Sequence, residues 1–333
     1  MNSDLAELLT EPSLDQVRSL TAGSFEALND LIERELESDV LLINEIGQYI
    51  VGSGGKRLRP LVVMLVARAC GYRGTDHIKL SALVEFLHTA TLLHDDVVDS
   101  STMRRNRRTA NAIWGNSASI LVGDFLYSRA FELMVDIGSM ELMAIISEAT
   151  NCIAEGEVLQ LQNVGNEELT EDQYLEIIRR KTAMLFQASA HTGAVLAGAD
   201  ESTAQSFRDF GLYFGLAYQL IDDWLDYAGS SESMGKNVGQ DLAEGKATLP
   251  LIHAMANGSV IQANCIRNAL VQRSIDDLHS VLRAVQDSGA LAYTRAKAEH
   301  YTEQSLNALT LIPTNAYSAG LEALANIAVC RMK

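Results

Sequence analysis

Proline constrains this chain more than any other residue. There are four, Pro12, Pro60, Pro250 and Pro313, and none between 61 and 249. A multi-strand sandwich or barrel needs many turns, and turns recruit proline. A long proline-free stretch suits helices, whose interiors lose a hydrogen bond and gain a clash at proline. Hydrophobic spacing agrees. Phe25, Leu28, Leu31, Ile32, Leu36, Leu42, Ile43 and Ile46 recur at three- and four-residue intervals over 24–51. The same period predicts helices over 61–70, 80–99, 117–135, 140–163, 171–198, 202–228, 246–257, 262–287, 289–309 and 315–330. Pro60 falls where a helix's first turn tolerates it. Strand signals are weak, with no sustained alternation between hairpin turns. The gaps at 52–55, 71–76, 164–170 and 229–241 are short, and none resembles an interdomain linker. The expectation is an all-α fold, a single domain over 1–333 with residues 1–20 peripheral.

Charge and cysteine usage narrow the function. The chain carries 26 Lys+Arg against 43 Asp+Glu, a net charge of −17. A polyanion would meet a like-charge field, so no nucleic-acid partner is expected. Cys70, Cys152, Cys265 and Cys330 are far apart and form no CxxC pair, which fits a reducing, cytoplasmic location. The N-terminal segment is acidic and lacks a signal-peptide pattern, and no apolar run is long enough to span a bilayer.

One motif, Asp-Asp-x-x-Asp, occurs twice. Asp95, Asp96 and Asp99 stand in LLHDDVVD; Asp222, Asp223 and Asp226 stand in YQLIDDWLDY. On a helix the first and third acids of each copy share a face, where like charges repel unless a cation intervenes. Oxygen-only donors at this spacing suit Mg2+, which keeps waters and also takes substrate phosphate oxygens. One such cluster could be a solvated helix end. Two copies beside apolar runs point to a site.

Basic residues gather near the acids. Gly54-Gly55-Lys56-Arg57-Leu58-Arg59-Pro60 opens a helix, where glycines admit an anion and cations favour diphosphate. Alone, the segment also reads as a flexible loop with solvated cations. Arg104-Arg105-Asn106-Arg107-Arg108 follows Asp99 closely, with an Asn that tolerates a left-handed turn. His88 lies two helical turns before Asp95 on roughly the same face. Lys181-Thr182 and Lys236 are further candidates, although single lysines of this kind are more often surface residues.

Together these residues resemble the trans-isoprenyl diphosphate synthases, or polyprenyl synthases. The matching segments are GGKRLRP at 54–60, FLHTATLLHDDVVD at 86–99, MRRN at 103–106, GEVLQL at 156–161, RRKTA at 179–183, YQLIDDWLDY at 218–227 and GKNVGQDLAEGKATLPL at 235–251. The resemblance implies helices around a deep central cavity, usually in a homodimer. It implies head-to-tail condensation of isopentenyl diphosphate onto an allylic diphosphate, with farnesyl diphosphate as the primer. By this resemblance Asp95, Asp96, Asp99, Asp222, Asp223 and Asp226 hold roughly two or three Mg2+ ions together with substrate diphosphate. Arg104, Lys181 and Lys236 contact the allylic diphosphate. Lys56, Arg59, His88 and Arg105 hold the isopentenyl diphosphate, and Thr182 and Gln219 face the reacting allylic carbon.

Departures from the family pattern fall at Ser100-Ser101, Asn106, Arg108 and Trp224; none removes an acid. Small residues precede the first acid cluster. Thr91 and Ala90 lie one to one and a half turns before Asp95, roughly 6–8 Å away along the helix. Short-chain members of the family carry aromatic side chains about there, which block the growing tail. Ala90 and Thr91 therefore imply an open wall and a long product, about C40, with Phe125 or Phe131 as candidate floor residues. A shorter- or longer-chain synthase, a class I terpene cyclase and a regulatory subunit of a heteromeric synthase are the competing readings. The product is very apolar, so at most transient membrane contact is expected.

Overall fold

The computed structural model describes residues 12–52, 54–228 and 238–332. Helix dominates; among the described residues the only strands are Met103–Arg104 and Arg107–Arg108. The all-α expectation holds. The chain folds as two compact units. One comprises residues 1–147, 188–208 and 311–324; the other comprises 148–187, 209–310 and 325–333.

The first unit is built on the helix Asp76–Val98, which packs against the helices Ala22–Glu35, Leu58–Ala69 and Asn116–Ile137. Leu61 through Ala67 are all fully buried, so the middle of the helix Leu58–Ala69 is apolar on every side, with Arg59 and Arg68 near its ends. The helix Asp76–Val98 ends on its acid cluster. Carboxylates there oppose the negative end of the helix dipole, costing about 0.3–1 kcal/mol each, and no basic residue in the last turn offsets them. The helix Glu201–Ala228 places Asp222, Asp223 and Asp226 the same way, again with no base in its last turn. Local rules broken twice in one manner mark function rather than packing.

In the second unit the helix Leu249–Asn257 packs on Ala290–Ala308 and on Val260–Gln272, which in turn packs on Leu278–Asp287. Phe186 meets Phe214 edge-on at 5.1 Å, and Phe210 stacks on Phe214 at 5.8 Å. All three are buried in the core of this unit.

Three long helices expected from periodicity are interrupted. The pattern over 24–51 forms two helices, Ala22–Glu35 and Leu41–Val51. Between them the Asn44 amide accepts from the Ser38 N–H at 2.9 Å and donates to the Ser38 carbonyl at 2.8 Å, offering the backbone an alternative to helix. Arg273, left-handed at φ 50°, ends the helix Val260–Gln272 inside the expected 262–287. Within 171–198 the segment Arg179–Ala183 widens into a π-helical turn. The ribbon of Met103↔Arg108 and Arg104↔Arg107 shows no alternation, because each strand is two residues long.

Candidate active site

The six aspartates divide by burial. Adjacent residues on a helix point about 100° apart, so neighbouring acids cannot share a direction. In the first cluster Asp95 and Asp99 are half-buried, while Asp96 is 4% exposed and accepts from Arg104 Nε at 2.9 Å. Burial raises the Asp96 carboxyl above its ordinary range; Arg104 opposes the shift, and Asp95 and Asp99 add to it. In the second cluster Asp223 is 2% exposed and accepts from the Tyr174 hydroxyl and from Gln219 Nε2, the latter at 2.7 Å. Burial pushes Asp223 up to about 7 against those hydrogen bonds. Asp226 accepts the backbone N–H groups of Gln240 at 3.2 Å and Asp241 at 3.1 Å. Asp222 is half-buried and lies 3.9 Å from the Arg331 guanidinium. Asp96, Asp223 and Asp226 accept these bonds from the protein's own donors, while Asp95, Asp99 and Asp222 are half-buried.

Among the described residues no group of three or more His, Cys, Asp or Glu side chains encloses a metal position by itself. Mg2+ ordinarily takes one or two carboxylates, waters and substrate phosphates. The all-oxygen pair Asp95 and Asp99 on one helix face has that donor chemistry, as does Asp222.

Beside the first cluster lies a cavity partly open to solvent. His88, Arg104 and Arg105 line it, as do Arg57, Arg107 and Arg108. Its floor is apolar, with Ile32, Leu36, Phe86, Leu93 and Leu126. Arg59 donates to His88 Nε2 at 3.2 Å. A guanidinium only donates, so His88 accepts through Nε2 and is neutral. Burial and then Arg59, Arg105 and Arg104 hold the imidazole well below its usual range. Lys56 is exposed, does not line the cavity, and gives its carbonyl to Arg18 at 2.7 Å.

The arginine run turns through a two-residue hairpin loop. Arg105 and Asn106 both have positive φ, 52° and 60°, the signature of a type I′ turn. Asn106 is at ease there; Arg105 is not, and the strain is of order 1 kcal/mol. The Arg105 guanidinium donates to the Gly54 carbonyl. Arg57, at φ 43°, is strained in the same way. Two arginines held in unfavourable backbone around one cavity indicate that their side-chain positions matter.

The second unit holds a matching polar network. Lys181 and Thr182 sit on the π-helical turn, a feature frequent at functional sites. Close packing keeps it in place. A Cβ at Gly215 would come within 2.6 Å of the Ala183 Cα, and one at Gly156 within 2.8 Å of the Lys181 nitrogen. Thr182 donates to Gln219 Oε1 at 3.0 Å, and Gln219 donates to Asp223, so the Gln219 amide has one orientation. Lys181 pairs with Glu157. These groups line a second cavity with Tyr174, Asp241 and Lys246.

Ala90 is fully buried and Thr91 half-buried, its hydroxyl returned to the His88 carbonyl at 2.9 Å. Phe131 is 45% exposed and closes no floor within its own chain; Phe125 lies under Arg129 at 5.2 Å. Lys236 lies outside the described residues.

Sequence reasoning passed over Glu85, Tyr174, Asp241, Lys246 and Arg331. Glu85 lies 3.9 Å from Arg57. Burial raises its carboxyl, against Arg57, Arg59 and Arg105, and one of its oxygens has no hydrogen-bond partner. A lone acid three residues before His88 carries no local signal. Lys246 and Asp241 stand inside the matching segment at 235–251, which was the available cue.

The comparisons with known proteins agree on one family. The family model described as Polyprenyl synthetase matches residues 40–286. Octaprenyl diphosphate synthase of Escherichia coli is 49% identical over 320 residues, covering 96% of this chain and 99% of that protein. An all-trans-nonaprenyl-diphosphate synthase (geranyl-diphosphate specific) of Rhodobacter capsulatus is 45% identical over 94% of this chain and 96% of its own length. A polyprenyl synthase from Caulobacter crescentus CB15, solved in complex with calcium and isoprenyl diphosphate, superposes with a TM-score of 0.92 at 45% identity, covering 95% of this chain and 97% of that one. With the two acid clusters, the glycine-led basic segment and the fold all in accord, the chain belongs to the polyprenyl synthetase family.

Proposed function

We propose that the chain is a long-chain trans-polyprenyl diphosphate synthase. It adds isopentenyl diphosphate head-to-tail to an allylic primer such as farnesyl diphosphate and makes a product of about C40. One observation carries the reading: a cavity walled by five arginines and a neutral His88 beside a carboxylate pair, in a chain whose net charge is −17. The relative named for an octaprenyl product supports the length, and so does small Ala90, buried before the first acids.

In this reading Asp95, Asp99 and Asp222 hold Mg2+. Bound with substrate, the metal supplies charge neutralisation to the departing diphosphate. Lys181, Arg104 and Lys236 add positive charge to the allylic diphosphate as its bond to carbon breaks. Arg59 and Arg105 grip the second diphosphate, and Lys56 adds a cation at the rim. Neutral His88 keeps its Nε2 turned to Arg59 and thereby orients that guanidinium. Gln219 and Thr182 present fixed dipoles to the developing allylic cation. Holding both substrates is worth several kcal/mol of barrier by removing a bimolecular step.

The reading includes a cytoplasmic homodimer whose product serves a quinone side chain such as that of ubiquinone. No helix among the described residues is long and apolar enough to cross a membrane. Leu121, Phe131 and Val135 are exposed along one face of the helix Asn116–Ile137 and would be covered in a dimer. The test is incubation of the purified chain with farnesyl diphosphate, isopentenyl diphosphate and Mg2+, followed by chromatography against polyprenyl standards. A ladder ending near C40 supports the reading. Hydrocarbon formed without isopentenyl diphosphate would favour a terpene cyclase, and no elongation by the lone chain would favour a regulatory subunit.

A further inference from the structure

The two-stranded ribbon of the arginine hairpin is too short to be stable by itself, and its turn places Arg105 in strained backbone. Something outside it must hold it. One side chain from another element touches it in two ways and packs on a residue just beyond it. Tyr49, near the end of the helix Leu41–Val51, donates its hydroxyl to the Arg108 carbonyl at 2.7 Å. The Arg107 guanidinium lies over the Tyr49 ring at 4.3 Å. Trp114, just beyond the hairpin, meets that ring edge-on at 5.1 Å. Tyr49 also lines the arginine-walled cavity.

We infer that Tyr49 is a positioning residue for diphosphate binding: it latches the hairpin 103–108 so that Arg105 is presented to the isopentenyl diphosphate. The inference rests on the synthase reading for its substrate, while the latch itself is a property of the fold. The other tethers of the hairpin act elsewhere. Arg104 is tied to Asp96 on its first strand, and Arg105 itself to Gly54. On the second strand the Arg108 guanidinium donates to the Ala112 carbonyl at 2.6 Å, in the short helix Ala110–Trp114 that follows directly. Among the contacts described, Tyr49 alone reaches that strand from a helix distant in sequence. Its ring spreads one residue over Arg107, Arg108 and Trp114, and an aromatic supplies such contact with few rotatable bonds to freeze.

The experiment compares Tyr49→Phe, which keeps the ring and loses the hydroxyl, with Tyr49→Ala, which loses both. Steady-state kinetics with each substrate varied separately should show the KM for isopentenyl diphosphate raised about threefold in Tyr49→Phe and more than about tenfold in Tyr49→Ala, as loss of one and then several weak contacts implies. The KM for the allylic diphosphate and kcat at saturation should stay within about twofold. Equal rises in both KM values, or none, would overturn the positioning role. Limited trypsin digestion tests the latch without turnover. Cleavage after Arg104, Arg105, Arg107 or Arg108 should accelerate in Tyr49→Ala relative to cleavage elsewhere. Accelerated cleavage in a chain that elongates nothing would keep the latch and sink the synthase reading. Unchanged cleavage would sink the latch.

Discussion

The Asp226 carboxylate is the cap beneath Asp241. One of its oxygens accepts the Asp241 backbone N–H at 3.1 Å, the other that of Gln240 at 3.2 Å, and its own carbonyl accepts from Gly239 at 3.2 Å. These bonds secure the chain where it re-enters the described structure, on the segment that leads to Lys246. The third acid of the second Asp-Asp-x-x-Asp motif thus holds two backbone donors. Asparagine keeps one acceptor oxygen but turns an NH2 toward the second N–H, so it preserves only one of the two bonds, while alanine loses both, at about 1 kcal/mol or more. Asp226→Asn should therefore lose less turnover than Asp226→Ala, which should lose about tenfold or more. Steady-state assays across Mg2+ concentrations check this. An Asn variant as damaged as the Ala variant would show that charge, not capping, is the role.

The neighbours Asp222 and Asp223 should separate in the opposite sense. Asp222→Ala should cut turnover by orders of magnitude with the melting temperature preserved, because its carboxylate is not part of the core. Asp223→Ala strands the Tyr174 hydroxyl and the Gln219 amide, both paired to it. Leaving buried donors unpaired costs about 1–3 kcal/mol each, so the melting temperature should drop by several degrees. Thermal unfolding of the two variants side by side decides the point.

Arg105→Ala removes the cation at the tip of the hairpin. The KM for isopentenyl diphosphate should rise by about 10- to 100-fold, the loss expected for a charge-assisted contact. The KM for the allylic substrate should change far less. Comparable rises for both substrates would refute the assignment.

Ala90 is fully buried before the first acid cluster. Ala90→Tyr should shorten the product, at a stability cost of about 1–3 kcal/mol from overpacking. Product chromatography reads the outcome, with melting temperature as a control for folding. A product of unaltered length from a folded variant would remove Ala90 from the wall.

Acid should weaken the fold through His77. It is 1% exposed, with Nε2 at 2.9 Å from Ser24 Oγ. Burial, and then Arg68, lower its pKa to about 4 from the ordinary 6.5. Below 6.5 the unfolded chain binds a proton that the folded chain refuses. The stability His77 contributes is thus complete above about 6.5 and drains away as pH falls to about 4, at most about 3 kcal/mol. His77→Gln should flatten the melting-temperature profile between those values. A profile as steep as that of the unaltered chain would exclude His77 as the source.

Much of the fold was legible from spacing alone. Proline scarcity and a period near 3.6 sufficed for the all-α reading, because helices are local structures whose cues lie within a few residues. The interruptions were not. The break after Glu35 depends on an Asn44 amide folding back on Ser38, and the π-helical turn at Arg179–Ala183 depends on Gly156 and Gly215 admitting its backbone. The hairpin 103–108 was half-visible: Asn106 announced the left-handed turn, but two-residue strands carry no alternation.

The sequence by itself determined the chemistry on offer: two acid triplets, a glycine-led cationic segment and an arginine run in an otherwise acidic chain. Its helical spacing also required that adjacent acids diverge by about 100°. Only the tertiary structure decided which acid of each pair turned inward. Arg104 draws Asp96 in, Tyr174 and Gln219 draw Asp223 in, and the chain beyond Gly239 takes up Asp226. Gln219 lies one helical turn from Asp223, but the other partners lie 8 to 49 residues away along the chain. A carboxylate's direction is set by whichever donors pack against it, and packing brings together groups that spacing cannot relate.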